Sequence, residues 1–266
     1  MKNWFYIIAF NTFGILFSCA QKEEQKEPHL VQHHMNKIND FVPEYLAKIP
    51  DLTLSSSGYN KAIINNYSIE GTIDTIGLKQ GYWNISDTKN NFRFQGAYTN
   101  NLPSGWWEVF YHNELIACGH YQMGKKQGHW SYLRIGKTNM RCVTYSNDTL
   151  VGWGKELTMD SILLTEGSFN KGLKDGDWKY YHQNGKIKEH GAFLENEKSG
   201  WWQCFDESGQ LLEEANYEQG KRSGYVKRYL GGIIAEEGKL INESKKGTWR
   251  YYDNVGQLKR IHEYEE

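Results

Sequence analysis

The sequence predicts an all-β fold: an elongated antiparallel array of about eight stacked 24-residue β-hairpin repeats, about 17 strands, with a short N-terminal helical segment. Three observations predict it. Glycines at 81, 105, 128, 152, 176, 200, 224 and 247 recur at steps of 23 or 24 residues, and an aromatic usually stands two positions later. A second Gly-x-aromatic register runs between them, at Gly96-Ala97-Tyr98, Gly119-His120-Tyr121, Gly167-Ser168-Phe169 and Gly191-Ala192-Phe193. Three residues beyond these ring positions and their weaker copies at Tyr145, Tyr217 and Leu240 stand Asn101, Gly124, Asp148, Gly172, Asn196, Gly220 and Glu243, and six of these seven are residue types that tolerate positive φ.

Composition agrees. Hydrophobic residues make up 39% of the 266-residue chain, yet aromatics make up 15%, with 10 Trp and 18 Tyr. An apolar inventory made of rings suits thin sheets, where a ring lies flat over neighbouring strands. With 27 Gly and only 4 Pro, the turns rely on left-handed backbone rather than on proline. The net charge is −1 and no basic run is long, so there is no electrostatic footprint for nucleic acid.

Residues 1–18 read as a secretory signal peptide: Lys2, then an apolar stretch from Trp4 to Phe17 that is too short and too interrupted for a membrane-spanning helix. Leu16-Phe17-Ser18-Cys19 resembles the bacterial lipobox, which implies lipidation of Cys19 and a membrane anchor that does not span the bilayer. Ala20-Gln21-Lys22-Glu23-Glu24 resembles the lysine-plus-acidic tag of surface lipoproteins in Bacteroidetes, which implies an outer-membrane, cell-surface location rather than a cytoplasmic one. Residues 19–28 are too polar to pack and read as a disordered tether.

Residues 29–60 are expected to hold an amphipathic helix (Leu30, Val31, Met35, Ile38, Phe41, Val42), broken at Pro43 and followed by a Ser55-Ser56-Ser57-Gly58 linker. His29, His33 and His34 could share a face, but no Asp, Glu or Cys is spaced to complete a metal site, and no cofactor or metal is expected.

The array occupies residues 62–266. Tyr67 to Ile73 is a half unit that starts the sheet. Each full unit reads as a strand opening on the periodic glycine, a turn, a second strand and a connecting turn. The best-formed anchors are Gly105 with Trp107, Gly128 with Trp130, Gly176 with Trp178, Gly200 with Trp202, and Gly247 with Trp249. Asn184-Gly185 is a hairpin turn signal. A glycine inside a strand marks close approach by something else, so a tryptophan is expected to lie over each second-register glycine. The fourth repeat departs most, with Gly154 in place of Trp and Thr158-Met159-Asp160-Ser161 as its turn.

Other chemistry is sparse. Cys118 and Cys142 hold equivalent positions, two strands apart in a meander, and are expected to be free thiols. Glu213-Glu214 and Glu236-Glu237 read as a solvated charged face. The residue after the anchor glycine is the more informative position. Tyr82, Trp106, Trp153, Trp201 and Tyr225 stand there, on the face opposite the Trp row, and form a candidate binding stripe.

The 24-residue pattern, with connectors such as Gly124-Lys125-Lys126-Gln127-Gly128 and Gly220-Lys221-Arg222-Ser223-Gly224, resembles the variant MORN repeat over residues 62–266. Bacterial proteins of this kind are often labelled as the YwqK-type antitoxin family, and many are lipoproteins. The resemblance implies antiparallel hairpins, a binding or scaffolding role and no catalytic residues. The expectation is therefore a non-enzymatic, envelope-anchored repeat lipoprotein with a protein partner. Two alternatives are a glycan or cell-wall binder and an envelope immunity protein.

Overall fold

The computed structural model describes residues 57–133 and 139–265. The signal peptide, Cys19, the tether and residues 29–56 of the expected helical segment lie outside the described residues, while residues 58–60, expected as the end of its linker, open the first strand instead. The described residues form one open antiparallel sheet of 18 strands. In order these are β1 (Gly58–Ile64), β2 (Tyr67–Ile73), β3 (Lys79–Asp87), β4 (Phe92–Thr99), β5 (Leu102–Tyr111) and β6 (Glu114–Gln122). Then come β7 (Lys125–Leu133), β8 (Asn139–Ser146), β9 (Thr149–Thr158), β10 (Leu163–Asn170), β11 (Leu173–Tyr181) and β12 (Ile187–Leu194). The last six are β13 (Glu197–Phe205), β14 (Leu211–Glu218), β15 (Lys221–Leu230), β16 (Ile233–Ile241), β17 (Ser244–Tyr252) and β18 (Leu258–Tyr264).

Every strand pairs with its neighbours in sequence, so the sheet is a continuous meander with β1 and β18 at its edges. The count is one strand more than the repeat alone suggests. The half unit β2 has a partner in β1, whose residues Tyr59 to Ile64 pair with Thr72 to Tyr67. β1 carries no glycine-aromatic signature, so the period cannot reveal it.

Tight turns close seven of the connecting positions, and two within-repeat hairpins, at His112-Asn113 and Gly231-Gly232, share their geometry. Asn100-Asn101, Met123-Gly124, Asn147-Asp148, Lys171-Gly172, Glu195-Asn196, Gln219-Gly220 and Asn242-Glu243 all have positive φ at both residues. That is the type I′ geometry whose twist matches the flanking strands. The Asn184-Gly185 signal closes a longer loop instead. Only Gly185 of that pair is left-handed, at φ 81°, and the Gly185 N–H donates to the His182 carbonyl.

The periodic glycines do not open strands. They lie inside them, at bulges, with φ between 60° and 109°. On β5, Trp107 pairs with Gly96, but the next pair toward β4 is Ser104 with Ala97, so Gly105 and Trp106 are skipped. On β13, Gly200 and Trp201 are skipped in the same way. A bulged residue of this kind needs left-handed backbone, which glycine supplies without a Cβ clash.

The core is one layer of side chains on one face, here called the Trp face. Trp83, Trp107, Trp130, Trp178, Trp202 and Trp249 are at most 3% exposed. Each lies flat on the glycine one strand earlier: Gly71, Gly96, Gly119, Gly167, Gly191 and Gly238. A Cβ added to any of these glycines would meet indole atoms at 2.1 to 2.6 Å. Five of the six indole N–H groups donate to the carbonyl of the residue after that glycine, as Trp107 does to Ala97 at 2.9 Å. Trp83 donates to Gln80 instead. The indole thus covers bare backbone and satisfies a carbonyl that the bulge frees.

Where the tryptophan is missing, its partner is larger. Gly154 follows Val143, and Val226 follows Ala215. A Cβ on Gly154 would meet Val143 Cγ1 at 3.1 Å and Phe169 Cε2 at 2.7 Å. The sum of the two side chains is held roughly constant, as close packing requires.

The second-register rings stand edge-on between the indoles. Tyr98 contacts Trp83 and Trp107 at 5.9 and 5.1 Å, and Tyr121 contacts Trp107 and Trp130 at 6.0 and 5.0 Å. Phe193 does the same between Trp178 and Trp202. These T-shaped contacts continue from Trp83 to Tyr145 and resume from Phe169 to Tyr217. The gap coincides with Gly154. Lysines two residues before the anchor glycine close the layer from above: Lys174 lies 4.2 Å from the Trp178 ring centroid, Lys198 3.9 Å from Trp202 and Lys245 4.0 Å from Trp249.

Candidate functional site

The reverse face carries the candidate stripe. Tyr82, Trp106, Trp153, Trp201 and Tyr225 each follow a bulge glycine and are 45 to 67% exposed. The adjacent Trp107 and Trp202 are fully buried, so successive tryptophans serve opposite faces of one strand. Strand alternation puts the two on opposite faces, and the bulge adds to the exposure of the first. The bulge takes the residue after the glycine out of the ladder on one side and lifts it away from the sheet.

The full row at this position reads Tyr82, Trp106, His129, Trp153, Asp177, Trp201, Tyr225 and Thr248. Trp106, Trp153 and Trp201 therefore occur in alternate repeats, about 19 Å apart across four strand spacings. The tight turn entering each of these repeats is fastened by a side chain. Lys79 N–H donates to Asn101 Oδ1 at 2.6 Å, Lys126 N–H to Asp148 Oδ1 at 2.7 Å, and Lys174 N–H to Asn196 Oδ1 at 2.7 Å. Glu243 accepts from Arg222 N–H in the same way, ahead of Thr248. The intervening turns carry Gly124, Gly172 and Gly220, which have no side chain to offer. The exposed tryptophans thus sit in the repeats whose turns are held most firmly.

Electrostatics on the row are mild. Burial raises the Tyr82 phenol above its usual value, Glu108 raises it further and Arg93 opposes both. The Trp106 indole N–H donates weakly to Glu108 at 3.4 Å.

The structure also reveals an ion ladder on the Trp face that the repeat pattern did not announce. Glu189, Glu213 and Glu236 hold equivalent positions on β12, β14 and β16. Each is paired with the cation nine residues on: Lys198 at 2.6 Å, Arg222 at 2.9 Å and Lys245 at 2.7 Å. Arg228 joins two rungs by bonding both Glu213 and Glu236. The two Glu-Glu pairs are therefore not a solvated charged face. Glu213 and Glu236 are half-buried in this ladder, while Glu214 and Glu237, on the reverse face, accept from the Tyr229 and Tyr252 hydroxyls at 2.8 and 2.6 Å. The recurring Glu-to-Lys/Arg spacing of nine was the signal available in the sequence.

Cys118 and Cys142 face the reverse side on β6 and β8, with Ser131 of β7 paired between them, and all three described cysteines are free. Burial pushes the Cys118 and Cys204 thiols up to about 11.

The fold and the row define a class: a single-layer array of β-hairpins whose reverse face presents side chains from bulges and whose rings serve packing. The family model described as the MORN repeat variant matches residues 174–195 and 199–219, which span most of β11 to β14. No curated protein matches the chain. MORN repeats are generally non-enzymatic modules that bind proteins or membranes.

Proposed function

We propose that this protein is an envelope-anchored repeat lipoprotein, held to the outer membrane through lipidated Cys19, that binds a protein partner through the reverse-face row and performs no catalysis. One observation carries the reading: Tyr82, Trp106, Trp153, Trp201 and Tyr225 are exposed in a sheet that buries its other tryptophans almost completely. Large aromatics left outside a well-packed layer are the residues that dominate protein interfaces, and their exposure is costly unless a partner covers them.

The test uses the full chain in its native envelope. Trp106, Trp153 and Trp201 are replaced together by Ala, and cross-linked partners are compared with those of the unaltered protein. Loss of a defined protein adduct, with unchanged thermal unfolding, is the expected result. Retention of all protein adducts, or binding of purified protein to peptidoglycan or glycan arrays that the triple variant abolishes, overturns it in favour of a glycan ligand. Labelled palmitate should enter the unaltered protein and not Cys19→Ala, and protease shaving of intact cells should release the array.

A further inference from the structure

Beside the first member of the row, two loops meet at one rim of the sheet. His112 of the β5–β6 turn donates its N–H to the Asn91 carbonyl of the β3–β4 loop at 3.0 Å. A cavity of about 250 Å³ lies there, lined by Ser86, Asp87, Asn91, Arg93, His112 and Asn113. Arg93 is its one cation. It stands on β4, opposite Ser86 of β3 and Phe110 of β5. Its guanidinium stacks on the Phe110 ring, 4.1 Å from the centroid.

Stacking uses the face of the guanidinium and leaves its two Nη groups for a planar acceptor. Arg93 Nε is buried and has no hydrogen-bond partner. None of the ion pairs among the described residues includes Arg93, whereas Arg222 and Arg228 each hold two carboxylates. The Asp87 carboxylate in the same cavity is directed elsewhere: it accepts from Asn66 Nδ2, from the Lys89 and Asn90 N–H groups and from Asn90 Nδ2, at 2.7 to 3.1 Å.

We propose that this cavity receives a carboxylate, presented by an acidic side chain of the protein that docks on the aromatic row. The proposal rests on the protein-binding reading given above. The guanidinium fork matches a carboxylate, and Ser86, Asn91 and Asn113 offer further donors around it. The volume falls below that of ordinary small-molecule pockets, about 300 to 1,000 Å³, and suits one side chain. The charge of Arg93 also reaches Tyr82, so the cavity and the row would be covered by one partner.

The test is titration of the full chain, labelled at arginine nitrogens, with the capped dipeptide acetyl-Phe-Glu-amide and its acetyl-Phe-Gln-amide counterpart. The Arg93 Nε–H resonance should shift saturably with the acidic dipeptide, at least about tenfold more tightly than with the neutral one. That gap should vanish in Arg93→Gln and shrink in Arg93→Lys, which keeps the charge and loses the fork. An equal response to matched sodium chloride, an undiminished gap in Arg93→Gln, or tighter saturation by inorganic phosphate than by acetate would overturn it. The Trp106, Trp153 and Trp201 variants keep Arg93, so failure of the docking reading and failure of the cavity are read separately.

Discussion

The indole of Trp202 lies flat on the backbone of Gly191, and its N–H donates to the carbonyl of Ala192, the next residue, at 2.9 Å. Both strands beside Gly191 carry a tryptophan in register, Trp178 on β11 and Trp202 on β13, but only Trp202 occupies the space a Cβ would take, at 2.4 Å. Gly191→Ala should therefore displace Trp202 and cost about 2–3 kcal/mol in urea unfolding. Adding Trp202→Val recreates the Ala215–Val226 pair that the protein already holds at β14 and β15. The double variant should be more stable than the sum of the two single losses allows, by about 1–2 kcal/mol. Simple additivity would sink the size-exchange rule.

Adjacent tryptophans should differ sharply in what they support. Trp202 is buried in the layer, and Trp202→Ala should cost about 4 kcal/mol of stability. Trp201 is 45% exposed, and Trp201→Ala should stay within about 0.5 kcal/mol. Thermal unfolding of the pair is the check, and equal losses would mean that the reverse-face row is also structural.

The bulge glycines can be tested without steric interference. Gly200 has φ 67°, and a Cβ there meets nothing within 4 Å. Gly200→Ala should cost about 1–2 kcal/mol from left-handed backbone alone, and Gly200→Asn should cost less. A cost for Asn as large as for Ala would argue against conformational strain as the cause.

The ion ladder predicts how acid acts on the sheet. Burial alone would raise the Glu236 carboxyl, but hydrogen bonds and charge from Lys245 and Arg228 outweigh it and hold it below its usual 4.5. Contacts with Arg222 lower Glu243 in the same way. A depressed carboxylate pKa contributes stability that is present above the unfolded value and is lost as pH falls through the folded value. Hydrogen exchange should therefore show β14–β17 losing protection below about pH 4.5 before β2–β5, whose Trp-face positions are filled by Ile69, Ile85, Phe94 and Val109. Simultaneous loss across the sheet would contradict local control by the ladder.

Cys118 and Cys142 should give the same mass with and without reductant, since a strand lies between them. With its pKa near 11, the Cys118 thiol should alkylate slowly at neutral pH in the folded chain and quickly in denaturant.

Much of this architecture is legible in the sequence because two residue types leave periodic marks for separate physical reasons. Glycine marks left-handed bulges such as Gly200 and close approaches such as Gly191, and tryptophan marks the ring that covers the latter. The tight turns are visible through Asn101, Asp148 and Asn196. Other features are hidden because ordinary residues carry them. β1 is built from Gly-Tyr-Asn-Lys-Ala-Ile-Ile, and its ties to β2 are the ladder and two ordinary polar contacts, Tyr59 and Lys61 with Glu70. The glycine at 105 or 200 reads equally well as a strand start or as a bulge, since both follow a turn. Arg93 and its cavity belong to neither the glycine nor the ring register, and a residue outside both has no period to betray it.

The size exchange has a consequence for how the array can be lengthened or shortened. Gly191 and Trp202 lie on β12 and β13, either side of one tight turn, and so do Val143 and Gly154 on β8 and β9. The constraint is internal to that strand pair. Across the turns within a repeat it relaxes: Trp130 sits in register with Val143 of β8 without conflict. Splicing at the within-repeat turns, such as 182–186, moves each ring together with the space made for it. Splicing at the connecting turns separates them, and one such cut would set Val143 under the indole of Trp178. The exchangeable module is therefore the strand pair joined by a connecting turn, offset by one strand from the glycine-to-glycine period in which the sequence is most easily read.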